Sequence, residues 1–115
     1  MKYMLLLYNG TRPPADFTPE EGQALAKEWG KFLQEANAAG VLVSTNGFVD
    51  PTNVTTLRVR EGKRVISDGP YIETHEALGG YALIDCPDLD EALRWAELLP
   101  PAKYGGVEIR PLYMP

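Results

Sequence analysis

Apolar positions along the 115-residue chain change their period several times, and each change marks an element. "YMLLLY", Tyr3–Tyr8, is an apolar run too short for a helix and predicts a strand apolar on both faces. After a Pro-rich loop, "TPEE" carries the signature of a helix start. Thr18 can cap, Pro19 suits the first helical position, and Glu21 is placed to reach back to the Thr18 amide. Leu25, Trp29, Phe32, Leu33 and Ala36 then fall on one helical stripe, and Gly40 supplies the stop. "VLVSTNGF" and "TTLRVREGKRVIS" return to strand patterning. In the latter, Leu57 and Val59 alternate with Arg58 and Arg60, and Glu61-Gly62 marks a tight hairpin. "GGYALID" is a further strand. Asp88 and Glu91 repeat the capping pattern and open a second helix with Leu89, Ala92, Leu93 and Ala96 inward; Pro100 and Pro101 end it. "GGVEIRPL" supplies a last alternating strand.

The order strand, helix, two or three strands, strand, helix, strand predicts a ferredoxin-like α+β fold. In that arrangement two helices cover one face of a mostly antiparallel sheet. No repeat or linker interrupts the pattern, so residues 1–115 read as a single domain. Two helices on one face leave the other face of "YMLLLY" and "YALI" bare. A homodimer whose sheets pack face to face is the expected solution.

Charge narrows the choice of partner. Eleven basic and 16 acidic residues give a net charge of −5, which opposes phosphate and excludes nucleic acid as a main ligand. "MKYMLLLYNG" begins like a signal peptide, but its apolar run is shorter than a secretory core and nothing approaches a membrane span. One cysteine, Cys86, cannot form an internal disulfide, in keeping with the reducing cytoplasm. The expectation is a soluble cytoplasmic protein.

Candidate chemistry concentrates in "SDGPYIETHEALGG". Asp68-Gly69-Pro70 has turn chemistry, and Gly79-Gly80 reads as close backbone approach at a strand start; it lacks the helix and spacing of a phosphate loop. Turn chemistry leaves Glu73, His75 and Glu76 unexplained. In an extended segment Glu73 and His75 share a face, where a pair would raise the histidine pKa and serve acid–base work. The candidate catalytic groups are therefore Asp68, Glu73 and His75, with Glu73 the stronger of the last two. Tyr8, Arg12 and Thr74 are candidate ligand-binding neighbours, Arg12 favouring an anion. One histidine, a distant cysteine and scattered carboxylates do not form a metal site, and no cofactor motif is present.

"DGPYIETHEALGGYALIDCPDLDEALRWAELLP", followed by "GGVEIRPL", resembles the DGPF group of YCII-related proteins, and "MKYMLLLY" and the helix after "TPEE" also fit. The resemblance implies a dimeric ferredoxin-like α+β barrel. Some YCII-related proteins resemble enzymes with a His–Asp pair in a cleft; in this chain Trp29 and Leu99 stand at those positions and neither carries a proton at neutral pH. The usual family residue at the His75 position is Lys. Three classes follow: a lyase, isomerase or hydrolase acting on a small polar or anionic metabolite; a non-catalytic ligand-binding or regulatory module, the class that the family's association with sigma-factor genes implies; and a purely structural dimer.

Overall fold

Lys2–Tyr8 forms β1, and its burial alternates strictly: Tyr3, Leu5 and Leu7 are buried while Lys2, Met4, Leu6 and Tyr8 are half-exposed. That is the period-2 signature of a strand with two distinct faces. The computed structural model describes residues 1–11, 16–48, 53–70 and 77–113.

Pro19–Ala38 forms α1. Its start is the predicted capping box: the Glu21 amide donates to Thr18 Oγ1 at 3.1 Å, and the Thr18 amide donates to Glu21 Oε1 at 3.0 Å. It ends in a Schellman arrangement, with Gly40 at φ 71° and the Val41 amide donating to the Ala36 carbonyl. Leu42–Gly47 (β2), Thr55–Arg60 (β3), Lys63–Asp68 (β4) and Leu78–Asp85 (β5) follow. Glu61 and Gly62, at φ 52° and 76°, join β3 to β4 by a turn with two left-handed residues, matching the twist of a two-residue hairpin. Leu89–Glu97 (α2) is capped by Asp88, whose Oδ1 accepts from the Glu91 amide at 2.9 Å. A four-residue helix, Pro101–Tyr104 (α3), and the strand Gly106–Pro111 (β6) complete the order.

The main sheet is antiparallel with strand order β2-β5-β1-β6, the ferredoxin-like arrangement with its helices on one face. Register places Leu5 between Ala82 and Ile109. The helices meet this face through Phe32, Ala36, Ala92, Ala96 and Leu99, all buried. Phe32 is the hub, in edge-to-face contact with Trp29 and Trp95 at 6.3 Å each. The opposite face carries Met4, Leu6, Tyr81 and Leu83, half-buried and without a covering layer in the protomer.

Three features differ from the sequence reading. Leu89 and Leu93 are 51% and 46% exposed rather than inward. The stripe that packs is Ala92, Trp95, Ala96 and Leu99, one position further round the helix. Pro101 does not merely stop α2; it opens α3, where a missing amide and fixed φ suit the first turn. The β3–β4 hairpin also stands outside the main sheet as a separate two-stranded sheet. It projects, and the radius of gyration is 16.1 Å where a compact chain of this length has about 13 Å.

Phe32→Ala is expected to cost about 3–5 kcal/mol, because it empties a fully buried site at the junction of both helices and the sheet. Thr18→Ala should cost only about 1 kcal/mol. Urea denaturation of the two variants checks both the size and the order.

Candidate functional site

A cavity of about 590 Å³ opens between the helices and the end of the sheet where β1 and β2 finish and β5 begins. That volume lies in the range of small-molecule sites. Leu7 forms part of the floor, Trp29 and Leu33 of α1 one wall, and Pro101 and Tyr104 of α3 another. Thr45, Asn46, Gly47, Phe48, Gly79, Gly80 and Asn9 complete it.

The shape depends on glycine. A Cβ on Gly80 would sit 2.7 Å from the Asn46 carbonyl oxygen, so β2 and β5 can approach here only without one. At Gly79 a Cβ would fall 2.5 Å from both polar atoms of the Asn9 amide, which lies flat over that glycine. Asn9 is itself held by its backbone amide, which donates to the Ala77 carbonyl at 2.9 Å. Its side-chain amide has no hydrogen-bond partner among the described residues and is available to the cavity. Gly105 closely approaches the Tyr8 carbonyl, which brings the end of α3 against β1. A Lys103–Glu28 ion pair of 2.7 Å then ties α3 to α1, and Tyr104 packs edge-to-face on Phe17 at 5.4 Å.

The electrostatics are plain. Among the described residues no Asp, Glu, Lys, Arg or His lines the cavity. Burial pushes the Tyr104 phenol up, keeping it neutral and able to donate. Thr45 is occupied, its Oγ1 donating to the Tyr81 carbonyl at 2.7 Å. The arrangement can stack a ring on Trp29 or Phe48 and pair an amide or hydroxyl with Asn9. It offers no charged acid or base among these residues.

Of the six site residues read from the sequence, Tyr8 and Asp68 are described, and neither lines this cavity. Tyr8 points to the opposite sheet face, where its hydroxyl donates to Glu108 Oε2 at 3.1 Å. Arg110 grips the other oxygen, Glu108 Oε1, at 2.7 and 3.1 Å. The Arg110 contact and the Tyr8 hydrogen bond hold the Glu108 carboxyl below the usual range, and burial with the Glu108 bond raises the Tyr8 phenol. Asp68 ends the exposed strand β4, just before Gly69 at φ 103°, and the Gly69 carbonyl accepts from Thr56 Oγ1 at 2.6 Å. Arg12, Glu73, Thr74 and His75 lie outside the described residues. No group of three metal-ligating side chains occurs among the described residues, and no helix there is long and apolar enough to cross a membrane.

Sequence reasoning took Trp29 as core and treated Asn9 as loop. The available signal was the run of small and amide residues, "YNG", "TNGF" and "GG", which meet only once the sheet is assembled.

Fold and site together define a ferredoxin-like α+β protein with a neutral, aromatic-walled cavity at one end of its sheet. The model of the YCII-related domain matches residues 1–114, and the chain belongs to that family. It is 36% identical over 114 residues to an uncharacterised protein of Rhizobium meliloti (strain 1021), an alignment covering 97% of this chain and 92% of the relative.

Two predictions follow from this geometry. Gly80→Ala should destabilise by about 1–3 kcal/mol, since a backbone must move, whereas Gly79→Ala should cost less because only the Asn9 side chain yields; urea midpoints decide. Glu108, with its pKa depressed, stabilises the fold above its unfolded pKa and loses that contribution as pH falls through the lower folded value. Tyr8→Phe removes one of the two hydrogen bonds, so the Glu108 titration followed by carboxyl NMR should move up toward the ordinary value.

Proposed function

We propose that the protein binds a small, neutral molecule bearing an aromatic ring and an amide or hydroxyl group in the cavity between α1, α3 and the end of the sheet. The observation that carries this reading is the lining itself. Trp29, Phe48 and Tyr104 offer aromatic surface, Asn9 offers an unpaired donor and acceptor, and no described lining residue is ionic. Burying a charged ligand there without a counter-ion would carry the full penalty of an unpaired charge. The lining favours neutral ligands over the anionic metabolite suggested by Arg12 and the carboxylates of the Asp68–Glu76 stretch. Any chemistry beyond binding would fall to Glu73 and His75, and a lyase, isomerase or hydrolase activity abolished by Glu73→Gln would make the protein an enzyme. Without that, the reading is a non-catalytic binding or regulatory module.

The same reading includes a homodimer formed through the face carrying Met4, Leu6, Tyr81 and Leu83. Register sets these apolar residues in the middle of the sheet, with Ser44 and Asn46 on one flank and Glu108 and Arg110 on the other. An apolar centre with a polar rim is the anatomy of an interface.

Indole and benzamide, with benzoate as the charged counterpart, test the cavity. The neutral probes should raise the melting temperature and quench Trp29 fluorescence, with Asn9→Ala weakening benzamide about five- to tenfold, the size of one hydrogen bond. Stabilisation by benzoate alone, or equal binding to Trp29→Phe and Asn9→Ala, would refute the reading.

A further inference from the structure

The β3–β4 hairpin is the part of the molecule that the protomer leaves unexplained. Its strands pair with each other and have no extensive packing with another element. Every residue of β4 is exposed. Register sets Leu57 opposite Ile66 and Val59 opposite Arg64, so Leu57, Val59 and Ile66 share one face. These three are 54%, 58% and 56% exposed. A lone two-stranded ribbon in water is marginally stable, and an exposed apolar cluster on it marks a surface that something covers.

Charge identifies the occupant. Residues 55–68 hold four cations, Arg58, Arg60, Lys63 and Arg64, against two carboxylates, Glu61 and Asp68. The hairpin is therefore +2, and the chain's net −5 leaves −7 for the rest. A basic, apolar-faced arm on an acidic body fits a second copy of that body, and like charge on the remainder otherwise opposes self-association.

We propose that the hairpin is a dimerisation arm: its Leu57–Val59–Ile66 face packs on the second copy of the chain, and its cations pair with that copy's acidic surface. The proposal rests on the homodimer reading above and adds a contact that stacking of the sheets does not require. Both strands leave the main sheet at the cavity end, since β2 runs into Phe48 of the cavity wall before the arm and β5 resumes at Leu78 after it. The arm thus joins the second copy to the region beside the ligand cavity.

Sedimentation of the full chain over a concentration series measures the dimer dissociation constant. The Leu57→Asp/Ile66→Asp pair and, separately, the Arg60→Glu/Arg64→Glu pair should each weaken it at least about tenfold, the scale of a lost central contact. Near-UV circular dichroism of each variant protomer should match the parent, as these side chains are exposed. In the parent, hydrogen exchange at β3 and β4 should slow as concentration rises through the dissociation constant. A monomeric parent would overturn the homodimer reading and the arm with it. A dimeric parent whose constant changes less than about twofold in both variants, with hairpin exchange independent of concentration, would overturn the arm while leaving the sheet-stacked dimer standing.

Discussion

Everything in this molecule depends on the position of β1 between two antiparallel neighbours. With β5 on one side and β6 on the other, its backbone groups are paired along both edges and its side chains divide between two faces. Tyr3, Leu5 and Leu7 take one face and Met4, Leu6 and Tyr8 the other. A slip of one residue would exchange those sets and bury Lys2 and Tyr8 under the helices. The register therefore determines both the side on which α1 and α2 pack and the side left for a second layer.

The cavity is a consequence of how that packing ends. Phe32, fully buried between two tryptophans, holds the helices close to the sheet. Further along α1, toward its start, Trp29 meets strands that carry glycine instead of bulky side chains. Gly79 and Gly80 let Asn9 and the Asn46 backbone come into van der Waals range, so the end of the sheet is thin. Space remains above it, floored by backbone and roofed by rings. The site is thus built from what the strand ends omit, and its chemistry is that of amides and aromatic faces.

Local signals were legible and long-range ones were not. The Thr18–Glu21 box, the Gly40 stop, the Asp88 cap and the Glu61-Gly62 turn each involve residues within a few positions of one another, and each forms as the pattern implies. Strand order followed from element order and the two-faced character of "YMLLLY". Helix α2 shows where periodicity fails. Leu89 and Leu93 are the more apolar pair, but the shorter Ala92 and Ala96 permit close approach to the sheet, and Trp95 fills the flank. Separation of the hairpin from the main sheet had no local marker, because its alternation suits either placement. The candidate site diverged most: ionisable groups drew notice to Asp68, Glu73 and His75, while a neutral cavity offers no charged residue to find in a sequence. Asn9, Trp29, Asn46 and Gly79 span seventy positions and become neighbours only through β1–β5 and β2–β5 pairing.

The central claim is that ligand enters on the helix side of the sheet, at its glycine-rich end. Methyl and side-chain amide NMR of the isotope-labelled protein titrated with benzamide tests this directly. The account predicts shifts at the Leu7 and Leu33 methyls and the Asn9 side-chain amide, with Leu6 and Leu83 on the opposite face unmoved. Shifts confined to Leu6, Leu83 and Met4, or absent from Asn9 and Leu33 at saturation, would contradict it.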